Sequence, residues 1–257
     1  MMDFNERVIP GQSMNFLYQQ ALSRYQYAKN LIKIGSKIVD LGCGVGYGSA
    51  LLSDIAPVIG IDISNEAIAY AKKNYGKNVV FETGDINKLK FTNNEVDVVC
   101  AFEVIEHIEK PDKLLYEVKR ILNNNGQFFL STPNREIMSE DGQLTSPYHK
   151  IEYDFQEIQA LLRQFFRNVE VLGQRKSKKA DNAYKSFIKS QTIRQNIVNF
   201  DKFYLRKLFT QLFKEKMWQK LGNLFGRQHQ EQLTSLDFPI TKNDSINCDY
   251  FFIICQK

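Results

Sequence analysis

The chain has 257 residues, 43% of them hydrophobic and 25% charged, with a net charge of +5, as expected for a globular protein with a sizeable core. No stretch approaches the ~20 apolar residues of a membrane-spanning helix, and the N-terminus lacks the apolar segment of a secretory signal. The cysteines form no Cys-x-x-Cys pair, so we expect reduced thiols in a cytoplasmic protein, without disulfides or a zinc site. They are Cys43, Cys100, Cys248 and Cys255.

Strand and helix patterns alternate along most of the chain. Apolar runs predict strands at residues 37–41, 58–63, 79–82, 96–102, 127–131, 168–173 and 249–256. Helical spacing predicts helices at residues 49–55, 65–75, 113–122 and 155–166, the second opened by Ser64 as N-cap and the third ended by Asn125-Gly126. This alternation predicts an α/β fold whose sheet is mostly parallel and has helices on both faces.

Three regions follow from these patterns. Residues 1–35 precede the first strand and are predicted to form a helical lid or brace. Residues 36–174 and 246–257 form the sheet domain. Residues 175–245 are predicted to be a basic helical insertion before the last strand, because residues 175–227 contain fourteen Lys or Arg against three acids.

A glycine-rich loop follows the first predicted strand. Gly42, Gly44 and Gly46 have the spacing G-x-G-x-G, whereas a dinucleotide fingerprint would need glycine at Tyr47. Glycines allow a ligand to approach the backbone closely, since no Cβ intervenes. The carboxylate of Asp40 would repel a pyrophosphate but suits a ligand with an ammonium and a sulfonium. The alternative is a tight structural turn.

Acidic residues also follow the next two strands. Asp62, followed by Ile63, lies about 20 positions after the glycines, where a carboxylate can accept both ribose hydroxyls. Asp85 could accept from an adenine amino group and Ile86 could cover the ring. A helix cap for Asp62 and a turn for Asp85 are the structural alternatives. Acids after three successive strands are more specific than any one of them.

Together these motifs resemble class I S-adenosylmethionine-dependent methyltransferases. The resemblance rests on Asp40 to Gly46, Asp62, Gly84-Asp85 and residues 96–133, and it covers residues 36–174 and 249–256. It implies a seven-stranded Rossmann-like sheet with a reversed last strand and S-adenosylmethionine as methyl donor. It also implies that Gly42 and Gly44 lie under the methionine part. The predicted cofactor-binding residues are Asp40, Gly42, Gly44, Gly46, Asp62, Ile63, Asp85, Ile86 and Glu103.

The segment after the fourth strand supplies the candidate catalytic residues. If Glu103 begins a helical turn, then Glu103, Glu106 and His107 share one face, and with His149 they could hold Mg²⁺. This pattern resembles metal-dependent small-RNA 2′-O-methyltransferases and quinone-precursor O-methyltransferases. Alternatively, Glu106 and His107 pack the loop while Glu103 lines the methionine pocket. Without a metal, His107 or His149 would be the general base, beside Glu106.

The acceptor side is less defined. Residues 6–11 (Glu-Arg-Val-Ile-Pro-Gly), Arg24-Tyr25, residues 131–134 and residues 149–153 are similar to bacterial methyltransferases of glycan biosynthesis. This resemblance implies a small-molecule or glycan acceptor. The basic segment 175–227 admits three interpretations: an amphipathic helix on an anionic membrane, a nucleic-acid surface, or a helical cap packed on the sheet domain.

Three functions therefore stay open. The first is O-methylation of a sugar hydroxyl in a glycan or small acceptor. The second is metal-dependent 2′-O-methylation of RNA. The third is a non-catalytic scaffold that binds S-adenosylmethionine and recruits a partner through the insertion.

Overall fold

The computed structural model describes residues 7–11, 13–139, 143–186, 188 and 232–257. They form an eight-stranded sheet in the order β3-β2-β1-β4-β5-β8-β6-β7. Strands β1 to β5 are parallel, and β8 runs antiparallel to both β5 and β6. The strands are β1 (Ile38–Leu41), β2 (Val58–Asp62), β3 (Val80–Thr83), β4 (Val96–Phe102), β5 (Leu122–Pro133), β6 (Asn168–Gln174), β7 (Ile240–Thr241) and β8 (Tyr250–Gln256).

Six helices with defined bounds surround this sheet in the described residues. The predicted N-cap of α3 is confirmed, since the Ser64 hydroxyl accepts from the backbone N–H of Ala67 at 3.2 Å. Asp154 and Glu157 form a capping box at the start of α6. The helices are α1 (Asn15–Leu31), α2 (Tyr47–Leu52), α3 (Asn65–Tyr75), α4 (Pro111–Ile121), α5 (Arg135–Met138) and α6 (Phe155–Arg163).

The sheet is buried on both faces. In β4, Val99 and Ala101 pack in one apolar cluster with α4 and α6, whereas Cys100 and Phe102 pack in a second cluster with α1, α2 and α3. This alternation follows from the two-residue period of a strand. The resulting three-layer α/β architecture confirms the predicted fold class.

Two details of the prediction are wrong, one in the sheet and one in the helix before β5. The sheet has an eighth strand, β7, whose two residues pair with β6 at the edge. The helix predicted at residues 113–122 begins at Pro111, which occupies the first turn where its missing N–H costs nothing. Leu122 already has extended backbone, so the helix ends there and Asn125-Gly126 lies within β5 instead of ending the helix.

Helix α1 connects the N-terminal region to the sheet domain. It buries Tyr25 and Ala28 in the same cluster as Ile38 of β1 and Leu52 of α2. A Cβ at Gly48 would overlap the ring of Tyr25, so the absence of a side chain there lets α1 pack closely on α2. A role of residues 1–35 as a lid stays a prediction.

Most of the basic segment 175–227 lies outside the described residues. The membrane and nucleic-acid interpretations concern these residues, so the structure does not test them. In its described part, Arg175 pairs with Asp244, Lys176 with Asp249 and Lys179 with Asp237. Within the parts of the chain that the structure describes, no helix combines the length and apolar character needed to cross a bilayer.

Candidate active site

A cavity of about 1560 Å³ opens at the carboxyl ends of β1, β2 and β4. The strand order reverses between β1 and β4, and ligands of open α/β sheets bind at such a switch point. Ten of the twelve residues predicted from the sequence line this cavity. They are Gly42, Gly44, Asp62, Ile63, Asp85, Ile86, Glu103, Glu106, His107 and His149.

The other two predicted residues, Asp40 and Gly46, do not line the cavity and pack on the core side of the glycine loop. A Cβ at Gly46 would lie 2.7 Å from the Phe81 ring and 2.8 Å from the Cβ of Ala71, so this glycine lets the loop pack against the core. Its φ of +87° also favours glycine. Neither residue lines the cavity, so the predicted direct contact between Asp40 and a ligand ammonium does not fit this geometry.

Asp40 is fully buried, and its environment is made of hydroxyls. Its carboxylate accepts from Ser49 Oγ at 2.5 Å and from the Tyr25 hydroxyl at 3.3 Å. Burial raises the pKa of Asp40 to about 7, against the lowering effect of these hydrogen bonds. Tyr25 also lines the cavity, so one residue both donates to Asp40 and forms part of the cavity wall.

Asp62 ties the glycine loop to β2. Its Oδ2 accepts from the backbone N–H of Gly44 at 2.9 Å, and its Oδ1 accepts from Ser64 N at 2.9 Å and from Arg7 Nη2 at 3.0 Å. The structural alternative is therefore seen here, because this carboxylate orders the turn, and the ligand role stays a prediction that is compatible with its place in the cavity lining.

The third acidic position forms a turn of its own. Asp85 Oδ1 accepts from the backbone and side-chain nitrogens of Asn87, at 2.9 and 3.0 Å. Asp85 is exposed and lines the cavity with Ile86 and with Ile63, a residue that is 75% exposed. Two exposed or half-exposed isoleucines in a cavity wall suit a flat apolar ring.

Glu103 does not share a helical face with Glu106 and His107, so that prediction is wrong. Its φ of +56° is in the left-handed region, and the following 3-10 turn begins only at Ile105. Glu103 accepts from Ser131 Oγ at 2.6 Å and lies 3.5 Å from Nη1 of Arg24. These contacts hold its carboxylate between β5 and α1, and it is not part of the cluster formed by Glu106, His107 and His149.

Arg24 is the buried cation of the cavity. Its Nε donates to Gln174 Oε1 at 2.9 Å, and its guanidinium carbon lies 4.5 Å from the centre of the Tyr250 ring. Arg24 and Tyr250 both line the cavity. Opposite charges on Arg24 and Glu103 therefore lie side by side at the α1 end of the site.

Glu106, His107 and His149 lie together, with one potential ligand atom of each within 4.8 Å of the others. The imidazole centres are 5.0 Å apart. Glu106 is fully buried; its Oε2 accepts from Thr132 at 3.2 Å, and its Oε1 has no hydrogen-bond partner among the described residues. Burial and the neighbouring charge of Glu103 raise the pKa of Glu106 well above its ordinary value.

Both imidazoles are oriented through Nδ1. His149 Nδ1 lies 2.6 Å from Glu152 Oε1, and His107 Nδ1 lies 3.2 Å from the carbonyl oxygen of Tyr148. Burial opposes ionisation of Glu152, but hydrogen bonds from Thr145 and His149 keep its pKa below the ordinary value. Both partners of Nδ1 are thus acceptors, so we assign the proton to Nδ1 and the lone pair to Nε2 of each ring.

These donors do not fit the predicted Mg²⁺ site. Mg²⁺ prefers oxygen ligands, whereas two of the three clustered groups are imidazoles and Glu103 is held elsewhere. Two imidazoles and one carboxylate are a donor set typical of transition metals. The predicted four-residue magnesium site is therefore reduced to a three-residue cluster of different chemistry.

Sequence reasoning missed four residues that shape the site, namely Arg7, Arg24, Ser49 and Glu152. Arg24, Tyr25 and Glu152 were noted only as parts of loose motifs, although a charged residue inside such a motif is a signal for a site. Arg7 was likewise noted only within the motif at residues 6–11, and its contact with Asp62 spans 55 residues of sequence. Ser49 gave no signal, because its contact with Asp40 joins the first strand to the following helix.

Comparison with known proteins agrees with this geometry. The family described as "Methyltransferase domain" matches residues 32–199, more than half of the chain. This chain belongs to the methyltransferase-domain family. S-adenosylmethionine is the methyl donor from which the related methyltransferases take their name.

Two curated relatives illustrate the range of the family. A protein of Mycolicibacterium smegmatis, named a probable S-adenosylmethionine-dependent methyltransferase, is 34% identical over 161 residues, 61% of this chain and 62% of the relative. The mitochondrial ubiquinone biosynthesis O-methyltransferase of Candida albicans is 35% identical over 114 residues, 40% of this chain and 34% of the relative. The chain thus spans less than two thirds of either relative.

Solved structures share the fold at low identity. A SAM-dependent methyltransferase of Thermotoga maritima has a TM-score of 0.61 at 17% identity, covering 94% of this chain and 92% of that one. Phosphoethanolamine N-methyltransferase 2 of Haemonchus contortus, in complex with S-adenosylmethionine, has a TM-score of 0.55 at 15% identity, covering 100% and 60%. At these identities the likeness supports the fold alone.

The pKa of Asp40 predicts how this methyltransferase-family chain responds to pH. We expect the sulfonium of S-adenosylmethionine, bound in this cavity, to favour the ionised carboxylate of Asp40. Binding should then release a proton, and affinity should rise severalfold as pH rises through about 7. S-adenosylhomocysteine lacks the sulfonium, so its affinity should rise less. The ratio of the two affinities, measured by calorimetry between pH 6 and 8, should increase. A ratio independent of pH in the wild type would contradict this role, and Asp40→Asn should flatten it.

Proposed function

We propose that this protein is an S-adenosylmethionine-dependent O-methyltransferase that acts on a hydroxyl of a small molecule, of which a sugar of a glycan is our preferred class. The observation that carries the proposal is the placement of the His107–His149 pair in the same cavity as Gly42, Gly44 and Asp62. A cofactor on the loop side and an acceptor on the imidazole side would meet within this cavity.

The cofactor would use the charges at the ends of β1, β2 and β4. In this proposal Asp62 accepts from the ribose hydroxyls, and Asp85, Ile63 and Ile86 surround the adenine. The α-carboxylate and α-ammonium of the methionine part would face Arg24 and Glu103, whose opposite charges are 3.5 Å apart. A pair of opposite charges suits an amino-acid zwitterion better than it suits a ligand that carries only a cation or only an anion.

The reaction asks for positioning and one proton transfer. The acceptor oxygen attacks the methyl carbon in line, the C–S bond breaks as the C–O bond forms, and the sulfur leaves as a neutral thioether. The hydroxyl proton would pass to Nε2 of His149, and Glu152 would stabilise the resulting imidazolium through Nδ1, 2.6 Å away.

The acceptor class rests on two kinds of support. One relative is named an O-methyltransferase of ubiquinone biosynthesis, which favours hydroxyl acceptors. The preference for a sugar comes from the motifs at residues 6–11, 131–134 and 149–153 alone. Metal-assisted methylation is the second candidate. It is favoured by Glu106 Oε1, which has no hydrogen-bond partner in the described part of the chain and lies beside two imidazoles. The RNA 2′-O-methyltransferase hypothesis would need that assistance and the basic segment 175–227.

An assay with labelled donor tests the proposal. The purified protein is incubated with methyl-labelled S-adenosylmethionine and, in parallel, with sugar nucleotides, reducing glycans, catechols and short RNAs, each with and without excess chelator. We expect transfer to a hydroxyl acceptor of the first three classes that persists in chelator. Loss of transfer in chelator with recovery on adding a divalent cation would favour the metal-assisted candidate. Transfer to RNA alone, or to an amine alone, would contradict the proposal.

A further inference from the structure

Arg7 forms an ion pair with Asp62, the carboxylate that binds the ribose in the proposed function. Its Nη2 lies 3.0 Å from Asp62 Oδ1, and Asp62 is nearly buried, with 6% of its side chain exposed. Oδ1 also accepts from Ser64 N at 2.9 Å, so both acceptor positions of this oxygen are in use. Among the residues that the structure describes, Oδ2 has one donor, the backbone N–H of Gly44, which leaves one acceptor position free.

A ribose diol cannot be fully bound while this pair exists. Two hydroxyls that each donate to one oxygen of Asp62 need a free position on Oδ1 as well as on Oδ2. Among the described residues, Arg7 is the only side chain that donates to Oδ1, since the other donor, the Ser64 N–H, is part of the turn that opens α3. Binding of the second hydroxyl therefore requires Arg7 to leave.

The Arg7 side chain also fills space that the ligand needs. Its Cδ lies 3.9 Å from the position that a Cβ on Gly44 would have, so the side chain crosses over the glycine loop. Arg7 and Val8 both line the cavity. The glycine loop has no side chain at this point, and the volume above it is taken by a residue from the N-terminal segment.

The segment is fixed just behind this contact. Ile9 is buried, its backbone N–H donates to Ser13 Oγ at 2.7 Å, and its carbonyl accepts from Ser13 N at 2.8 Å. Arg7 can therefore swing about an anchored point two residues away. Glu66, close enough for its charge to interact with Arg7, is an alternative partner once Arg7 has left Asp62.

We propose that Arg7 is a latch: it holds Asp62 in the free protein, and S-adenosylmethionine or S-adenosylhomocysteine displaces it when the ribose binds. This inference rests on the proposed cofactor site. Cofactor binding thereby moves the Arg7 side chain at the mouth of the cavity, which couples donor binding to access for the acceptor.

The test compares S-adenosylhomocysteine binding by calorimetry to the wild type, Arg7→Ala and Lys73→Ala. S-adenosylhomocysteine has no net charge, so a general change in electrostatic repulsion contributes little. Removing a competing charged hydrogen bond should tighten binding by about tenfold in Arg7→Ala. Lys73→Ala removes an exposed cation from α3 without touching Asp62, and its affinity should equal that of the wild type.

A second readout follows Arg7 itself in the wild type. Trypsin cleavage after Arg7, measured by intact mass, should be slow in the free protein and faster with saturating S-adenosylhomocysteine. Slower cleavage in the complex, or weaker binding by Arg7→Ala, would overturn the latch and make Arg7 a clamp on the bound cofactor. If the wild type binds no S-adenosylhomocysteine, it is the proposed function that fails. Equal affinities of the wild type and Arg7→Ala would contradict the latch alone.

Discussion

Replacing Asp62 by alanine is expected to weaken the binding of S-adenosylhomocysteine by about a hundredfold or more. Hydrogen bonds to a charged group contribute about 1.5–3 kcal/mol each, and the proposed site makes two of them to the ribose. The substitution also removes the acceptor that holds the Gly44 N–H at 2.9 Å, so the glycine loop loses its attachment to β2. Calorimetric titration of the purified variant measures the loss.

The control for Asp62→Ala is Asp54→Ala. Asp54 is an exposed acid whose partner is Lys29, and it does not line the cavity. Its variant should bind as the wild type does, with an unchanged melting temperature within a few degrees. Undiminished binding by a folded Asp62→Ala protein would show that the ribose does not use this carboxylate.

The second large effect is expected at His149. His149→Asn should lower kcat by about a hundredfold to ten-thousandfold, since general-base catalysis contributes that range, while the affinity for S-adenosylhomocysteine stays within about twofold. The imidazole lies on the acceptor side of the cavity, so it does not contribute to donor binding in our proposal. Initial rates on the acceptor found by the labelled-donor assay, with calorimetry of the same protein, give both numbers.

Glu152→Gln serves as the matched variant for His149. Glutamine has nearly the same shape as the glutamate whose Oε1 lies 2.6 Å from His149 Nδ1, but it lacks the charge that would stabilise an imidazolium. Its kcat should fall less than that of His149→Asn, with KM for the acceptor nearly unchanged. If His149→Asn keeps wild-type turnover, the proton acceptor is another group, and His107 at the same cavity is the next to replace.

Much of the fold could be predicted because it depends on local patterns. The strand Val96–Phe102 and the helix Asn65–Tyr75 have the predicted bounds, since a continuous apolar run and a capped amphipathic segment are each specified by their own residues. The extra strand Ile240–Thr241 could not be predicted in this way. Two residues carry no periodicity, and this strand exists because β6 offers an edge to pair with.

Most of the residues predicted for the site lie around one cavity, but their geometry could not be predicted from the sequence. The carboxyl ends of parallel strands meet at one edge, so acids after successive strands come together by topology. The conformation of Glu103, with φ +56°, is set by its contacts with Ser131 and Arg24, which are far away in sequence. The burial of Asp40 under Tyr25 likewise depends on how α1 packs against Gly48.

The central claim is that the cavity above Gly42 and Gly44 binds S-adenosylmethionine with its ribose on Asp62. A crystal structure of the complex with S-adenosylhomocysteine tests it most directly. We predict both ribose hydroxyls within hydrogen-bond distance of Asp62, the adenine beside Ile63 and Ile86, and the sulfur facing the His107–His149 side. A complex in which the ribose contacts another residue, while Asp62 keeps its present partners, would contradict the account.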